Sequence, residues 1–298
     1  MEQRGHRPLA KTYLLTILAI VLWGFSFVWT NDILQKDVPV FTFLFIRLAL
    51  AGSLLFAFAK LTGKLQPIAR KDVKFLILMA FFEPFIYFIG ETYGIKATNS
   101  AVLSAVIIAT IPIASLFVEK IFYKVPYTAF KVFGTAITLP GIVMVIMKNG
   151  ETASVDHYWG IALLFLAVAG ATGYSSVVRK LSGNYNSLTI TTYQFVIGAT
   201  LFLPFFLGWG IEGVNATLFS REVIVPLLSL AVLCSCLAFF CWVSAIKELG
   251  MTKTNIFSAL IPAVSAVGAA MLGQEQITII SAVGITVVTA GVIIAQKG

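Results

Sequence analysis

The sequence predicts an all-α integral membrane protein whose ten transmembrane helices form two inverted-topology repeats of five. Three observations favour this fold: the composition, the spacing of the apolar segments, and a repeated set of proline and glycine positions. Of the 298 residues, 59% are hydrophobic and 11% are charged, and the mean hydropathy is +0.94. Soluble domains carry roughly a quarter charged residues. A water-soluble globule is therefore excluded.

Ten apolar segments have the length that a bilayer requires, since a helix needs about 20 apolar residues to cross roughly 30 Å of hydrocarbon. They cover residues 12–30, 40–59, 73–92, 97–118, 129–147, 158–178, 188–208, 222–245, 254–272 and 277–295. The connectors are too short to hold a soluble domain. The first segment follows basic residues as a signal peptide does, but its apolar run is too long and no small-residue cleavage site follows it. We expect it to be a retained helix.

The basic residues alternate between the two sets of connectors. The set that includes the N-terminus contains 16 of the 21 basic residues, namely Arg4, Arg7, Lys11, Lys60, Lys64, Arg70, Lys71, Lys74, Lys120, Lys124, Lys131, Arg179, Lys180, Lys247, Lys253 and Lys297. The opposite set has only Lys36, Lys96, Lys148 and Arg221. By the positive-inside rule, both termini are expected to be cytoplasmic. The expected location is the bacterial cytoplasmic (inner) membrane.

An internal repeat relates the two halves of the chain. Pro112, Gly134 and Gly141 recur at one constant displacement as Pro262, Gly284 and Gly291, residues 94–96 resemble 245–247, and residues 23–26 resemble 172–175. The repeats are predicted as 1–148 and 149–298. Because five is odd, the second repeat enters from the opposite face, which is the inverted architecture of many secondary transporters. The alternative is a chance coincidence of residues that are common in membrane helices.

These features resemble the drug/metabolite transporter superfamily, EamA type. The resemblance is strongest over residues 258–291, where a small-residue helix with Pro262 precedes a Gly-x-Glu motif at Gly273 and Glu275. The first repeat has Val125 where the acidic residue would stand. The resemblance implies a transporter and leaves its cargo open, because family members move amino acids, other metabolites and drugs.

Two charged residues fall inside predicted spans. Arg47 lies in the second segment, and Glu83 lies in the middle of the third, directly before Pro84. Helical spacing places Glu83, Tyr87 and Glu91 on one stripe. A charge at the bilayer centre costs about 2.5–3.5 kcal/mol on insertion scales, so it usually faces a cavity or a partner. Glu83 is therefore a candidate for binding a cationic group of the substrate or a coupling proton, or for a structural ion pair with Arg47.

Further candidates for the substrate site lie on three other segments. Trp23 and Ser26 share a stripe of the first segment, and Tyr174 stands at the matching place in the sixth. Gln194 in the seventh segment stands roughly where Arg47 stands in the second. The alternatives are an interfacial anchor for the aromatic residues and a contact between helices for Gln194.

Three prolines are expected to break helices near the middle of the membrane. Pro84 removes a backbone hydrogen bond, and Pro112 and Pro262 are paired interruptions of the kind that points to a midplane site. The small residues beside Pro262 indicate either close packing or a cavity wall, and the repeated glycines indicate packing. For Glu275 we expect an N-terminal cap on the last helix.

Secondary transport by alternating access is the leading prediction, with a small polar metabolite as cargo, an amino acid as the first candidate, and export rather than import. The alternatives are a polytopic membrane enzyme acting on a lipid-linked substrate, a channel and a structural membrane protein. We expect no catalytic residues, because no His lies within a span and no phosphate-binding loop is present. No cofactor or metal is expected, since the three cysteines share one apolar stretch without other ligands. The expected partners are the substrate and the bilayer; nucleic acid is not expected, and a homodimer is compatible but not required.

Overall fold

The computed structural model describes residues 9–123, 128–146 and 154–295. Several features of the sequence lie outside these ranges: the basic residues Arg4, Arg7, Lys124, Lys148 and Lys297, Val125, and the predicted boundary between 148 and 149. Ten helices, α1 to α10, run over Leu9–Leu34, Val40–Leu61, Arg70–Thr98, Ala101–Ile108 with Ile111–Tyr123, Ala129–Ile146, Val155–Leu181, Ser187–Gly213, Arg221–Leu249, Met251–Met271 and Ile279–Ala295.

The ten predicted helices are confirmed. Within the described ranges, nine helices are long and apolar enough to cross a membrane, and α10 is a shorter apolar helix of 17 residues. The largest difference is at the end of α3, which continues to Thr98, followed by the ends of α4 and α7, which continue to Tyr123 and Gly213. The last turns of α3 carry Gly94, Ile95 and Thr98 against the protein interior. Burial in protein, rather than contact with lipid, therefore extends this helix beyond its apolar stretch.

Side chains cap several helices at their N-termini, where backbone N–H groups lack helical partners. Ser100 accepts a hydrogen bond from Leu103 N at 3.0 Å, and Asn186 accepts one from Thr189 N at 2.7 Å. The cap of α10 is Thr278, which accepts from Ser281 N at 3.1 Å. The expectation that Glu275 caps α10 is wrong. Its carboxylate instead accepts from Val102 N at 3.1 Å, at the start of α4.

The connectors alternate between two faces of the bundle, as a ten-span topology requires. On one face, Asn186 Nδ2 in the α6–α7 connector donates to Lys64 O at 2.8 Å, and Lys247 Nζ donates to Tyr185 O at 3.1 Å. We call this the basic face. On the opposite face, Lys36 pairs with Glu222, and this contact raises the pKa of the lysine above its usual value. Helix α1 therefore runs towards the opposite face and α6 runs towards the basic face, which inverts the second repeat relative to the first.

Helix pairing follows the same inverted symmetry. Helices α5 and α10 pack together, as do α2 and α7, and the contact between α3 and α6 has its counterpart between α8 and α1. At the α5–α10 crossing, a β-carbon on Gly134 would lie 2.5 Å from Gly291 O, and one on Gly141 would lie 2.9 Å from Gly284 O. The repeated glycines thus let two backbones approach each other, as predicted.

The third and fourth helices of each repeat are irregular at matching places. Helix α3 contains a π-helical segment at Phe81–Ile86, and α8 contains one at Leu230–Ala238. Helix α4 is interrupted by a turn at residues 109–110, directly before Ile111 and Pro112. Helix α9 changes from a 3-10 helix at Ile256–Leu260 to an α-helix that begins one residue before Pro262. These interruptions place backbone that departs from α-helical geometry near the centre of both repeats.

Candidate functional site

A buried cavity of about 40 Å³ lies at the centre of the bundle, between the two repeats. An ordered water needs roughly 10–15 Å³ measured in this way, so the cavity has room for a few waters and must widen to admit a metabolite. Its described lining is Trp23, Ser26, Phe27, Arg47, Glu83, Tyr87, Phe88, Glu91, Ile108, Ile111, Ala171, Tyr174, Ser175, Phe239, Trp242, Asn255, Ser258 and Ile261. Helices of both repeats therefore contribute to it.

The break in α3 presents Glu83 to this cavity. Glu83 has φ −148° and ψ 116°, which is an extended conformation between two helical stretches. Pro84 follows and cannot donate a backbone hydrogen bond. The Glu83 side chain is 5% exposed and makes no hydrogen bond to any described residue. The predicted opening of the helix at Pro84 is present, and the Glu83 carboxylate lines the cavity without a hydrogen bond or ion pair to the residues that the structure describes.

Glu91 and Tyr87 complete the polar stripe of α3. The hydroxyl of Tyr87 donates to Glu91 Oε1 at 3.0 Å, and both side chains are buried. Two carboxyl groups thus line one small cavity: Glu83 makes no hydrogen bond to a described residue, and Glu91 accepts one from the phenol of Tyr87. The sequence placed Glu91 on this stripe but gave it no role.

Arg47 supplies the positive charge. Its Nε donates to Ser235 Oγ at 2.9 Å, and its guanidinium carbon lies 4.3 Å from the centroid of the Phe88 ring. Its Nη1 is buried and has no hydrogen-bond partner among the described residues. Within the described part of the chain, no ion pair joins Arg47 to Glu83. The structural pair considered from the sequence is therefore not formed.

The other residues predicted for the substrate site line the same cavity, with the exception of Gln194. Trp23 and Ser26 line it from α1, and Tyr174 lines it from α6. Gln194 is fully buried but does not line the cavity; its Oε1 accepts a hydrogen bond from the Tyr174 hydroxyl at 3.0 Å. Gln194 therefore contacts the site through Tyr174. The contact between helices that the sequence offered as an alternative for Gln194 is the one observed.

Pro112 and Pro262 stand just behind the cavity wall. The residues directly before them, Ile111 and Ile261, line the cavity, whereas the prolines do not. On α9, Asn255 and Ser258 line the cavity, while farther along the helix a β-carbon on Gly24 of α1 would lie 3.3 Å from Ser265 N. The small residues of α9 therefore line the cavity on one part of the helix and pack closely against α1 on another, so both predicted alternatives hold.

An aromatic wall from α8 was not identified from the sequence. The ring of Trp23 lies 4.9 Å from that of Phe239 and 4.8 Å from that of Trp242, centroid to centroid. Both residues could have been identified from the internal repeat of the sequence. The displacement that relates residues 94–96 to 245–247 also relates Phe88 to Phe239 and Glu91 to Trp242, and all four line the cavity.

Ten helices in two inverted repeats around a buried, charged central cavity define a polytopic membrane transporter. The chain belongs to the EamA-like transporter family, whose model matches residues 10–147 and again 158–296. It is 26% identical over 290 residues to an uncharacterized transporter of Archaeoglobus fulgidus, covering 95% of this chain and 96% of that one. It is also 24% identical to the uncharacterized transporter YetK of Bacillus subtilis, covering 95% of this chain and 86% of that one.

A crystal structure of a protein that is 14% identical superposes on this chain with a TM-score of 0.71, covering 96% of this chain and 98% of the other. At this identity, the similarity concerns the fold alone. The relatives named above are transporters and not enzymes. The chain is accordingly an integral multi-pass membrane transporter with a small-molecule substrate.

Proposed function

We propose that this transporter is a secondary carrier that moves a small polar metabolite bearing both a positive and a negative group, with an amino acid as the first candidate. One observation carries the proposal: Arg47, Glu83 and Glu91 line a single cavity, and in the described part of the chain the arginine makes no ion pair or hydrogen bond with either carboxylate. The cavity therefore offers both signs of charge to a ligand at the same time.

The cost of burying charge supports a ligand between these groups. A buried charge without a partner is strongly unfavourable, and an ion pair within the protein would be the simplest way to reduce that cost. A zwitterion provides another way, because its carboxylate can bind the Nη1 of Arg47 and its ammonium group can bind Glu83. Planar guanidinium groups suit carboxylates well, since two N–H donors can face two oxygens.

The mechanism we propose is alternating access. Inverted repeats can exchange conformations, so that a central site opens to each side of the membrane in turn. On the opposite face, contacts between the repeats close the bundle: Gln274 Nε2 donates to Val28 O at 2.9 Å, and Ser100 Oγ donates to Glu275 Oε2 at 3.0 Å. These contacts would have to break when the cavity opens to that side.

The orientation and direction belong to the same proposal. The excess of Lys and Arg on the basic face supports a cytoplasmic basic face and cytoplasmic termini in a bacterial inner membrane. Export is the proposed direction. Glu83 is the proposed site of proton coupling, because it is the carboxylate of the cavity that has no hydrogen bond within the described residues.

A comparison of medium and cell extract tests the proposal. Cultures would express the wild-type chain, Glu83→Gln, Glu212→Gln as an exposed control, or an empty vector. We expect one metabolite to accumulate in the medium with the wild type and the control, and not with Glu83→Gln, while the variant remains inserted and monodisperse. Equal export by Glu83→Gln would contradict a role for Glu83. Transport kinetics that do not change between pH 5 and 8 would exclude proton coupling through it.

A further inference from the structure

A large crevice opens on the flank of the bundle, towards the basic face. It lies between α2, α8 and the α6–α7 connector and has a volume of about 1390 Å³. Ligand pockets for drug-sized molecules measure about 300–1,000 Å³. The crevice exceeds that range, and it shares no lining residue with the central cavity among the described residues. It therefore fits a ligand larger than the cargo, at a separate place.

The walls of the crevice are apolar and face outwards. Leu54 and Phe58 of α2 are 48% and 55% exposed, and Val232 of α8 is 41% exposed. In a membrane-spanning bundle, such side chains on the outer surface contact lipid chains. Leu237 and Phe240 continue the α8 wall.

The end of the crevice at the basic face is polar and positively charged. Lys64, Arg179 and Lys247 line it together with one carboxylate, Glu248, so the lining has a formal charge of +2. Neutral groups that can donate hydrogen bonds, including the Asn186 amide and the Ser182 hydroxyl, lie among them. An acidic head group would therefore find positive charges and hydrogen-bond donors at the same end.

Hydrogen bonds with the α6–α7 connector fix the backbone of Lys64 and the ammonium group of Lys247. Asn186 Nδ2 donates to Lys64 O at 2.8 Å, and Lys247 Nζ donates to Tyr185 O at 3.1 Å, so both lysines are attached to neighbouring residues of the α6–α7 connector. The ammonium group of Lys64 has no hydrogen bond or ion pair within the described part of the chain. It is available to an additional ligand.

We propose that this crevice binds one anionic glycerophospholipid. Its phosphodiester would contact Lys64, Arg179 and Lys247, and its acyl chains would lie along Leu54, Phe58 and Val232. Basic pockets between membrane helices, close to a face of the bundle, are suited to acidic lipid head groups. The apolar walls continue directly from the basic end, and this is the arrangement that an amphipathic ligand requires. The site does not depend on the identity of the cargo.

Lipid titration of the detergent-purified full chain, followed by native mass spectrometry, tests the proposal. The probes are dioleoyl phosphatidylglycerol, dioleoyl phosphatidylcholine and glycerol 3-phosphate. We expect tighter binding of phosphatidylglycerol than of the other two. Because each basic residue near a head group contributes about 1 kcal/mol, the triple variant Lys64→Gln, Arg179→Gln, Lys247→Gln should bind phosphatidylglycerol roughly 100-fold more weakly.

The matched control is Lys60→Gln, Arg70→Gln, Lys71→Gln, which removes the same charges from exposed positions near the same face. It should retain the wild-type affinity. Val232→Trp should weaken binding by filling the apolar wall while leaving every charge in place. If the triple variant fails to fold, the three single variants should each weaken binding about fivefold.

Three results would overturn the proposal. Equal losses in the triple variant and its control would show attraction to surface charge in general. Equal binding of glycerol 3-phosphate would show a site for a phosphate without acyl chains. Equal binding of phosphatidylcholine would show that the charges of the crevice do not select an anionic head group.

Discussion

The ring of Pro84 packs against the backbone of Gly198. A β-carbon on Gly198 would lie 2.3 Å from Pro84 Cγ and 3.0 Å from Cδ. On the other side of the break, a β-carbon on Gly170 of α6 would lie 2.9 Å from Phe82 O. The broken segment of α3 is therefore seated between α6 and α7 at places where side chains are absent. Glu83 belongs to this broken segment and lines the cavity.

Gly198→Ala is expected to destabilise the protein. The proline ring cannot rotate away, so the added methyl group must displace α3 or α7, and overpacking of this kind typically costs about 1–3 kcal/mol. Displacement of α3 would also move Glu83, so transport should fall together with stability. Thermal unfolding of the purified protein and a transport assay measure the two effects. Gly208→Ala is the control, because a β-carbon there meets nothing within 4 Å, and an equal effect of the two substitutions would contradict this explanation.

Arg47→Lys is expected to weaken cargo binding while the fold is retained. A lysine keeps the charge but loses the planar guanidinium group that contacts Phe88 and donates a hydrogen bond to Ser235. It also lacks the fixed pair of N–H donors that a guanidinium presents to a carboxylate. The apparent affinity for cargo should fall roughly 10-fold, which corresponds to one charge-assisted hydrogen bond of about 1.4 kcal/mol. Transport kinetics measure this as a higher KM. A variant with wild-type KM would assign Arg47 a purely structural role, and Arg221→Lys, at an exposed position, provides the matched control.

Glu275→Ala is expected to loosen the opposite face. The carboxylate of Glu275 accepts hydrogen bonds from Val102 N and Ser100 Oγ, and thereby joins the α9–α10 connector to the start of α4 in the other repeat. Loss of a helix N-cap costs about 0.5–2 kcal/mol. The unfolding temperature should fall in Glu275→Ala and fall less in Glu275→Gln, which keeps an acceptor oxygen. Glu212→Ala, at an exposed position on the same face, should have no effect; a similar loss there would argue against the cap.

The fold could be predicted from the sequence because its determinants are repeated or periodic. The lengths of the apolar segments predicted the ten helices, and the recurrence of Gly134 and Gly141 as Gly284 and Gly291 indicated the close crossing of α5 and α10. The break at Pro84 was also foreseeable, since proline cannot donate the helical hydrogen bond. These signals are local, or repeat along the chain, and so do not require a three-dimensional structure.

The contacts that the sequence did not reveal join distant residues. Glu275 caps α4 rather than α10, because the inverted arrangement brings the α9–α10 connector beside Ser100, a proximity that cannot be derived from the order of the helices alone. The absence of an Arg47–Glu83 pair depends on side-chain directions and on Ser235, a residue of the other repeat. Trp242 was missed because its repeat-related residue is the charged Glu91, and Phe239 was missed because its counterpart, Phe88, was not singled out either.

A cysteine at Ile111 or Ile261 is expected to report opening of the cavity. Both residues line it directly before a proline, and both are buried, at 8% and 3% exposure. Alternating access exposes these positions in turn to either side. In a functional background with Cys234, Cys236 and Cys241 replaced, cargo should therefore change the rate at which a membrane-impermeant thiol reagent labels Ile111→Cys and Ile261→Cys. Ile279→Cys, which is 84% exposed at the start of α10, should be labelled at one rate throughout. If cargo does not change the labelling rate at either cavity position in a variant that still transports, the moving elements are not α4 and α9.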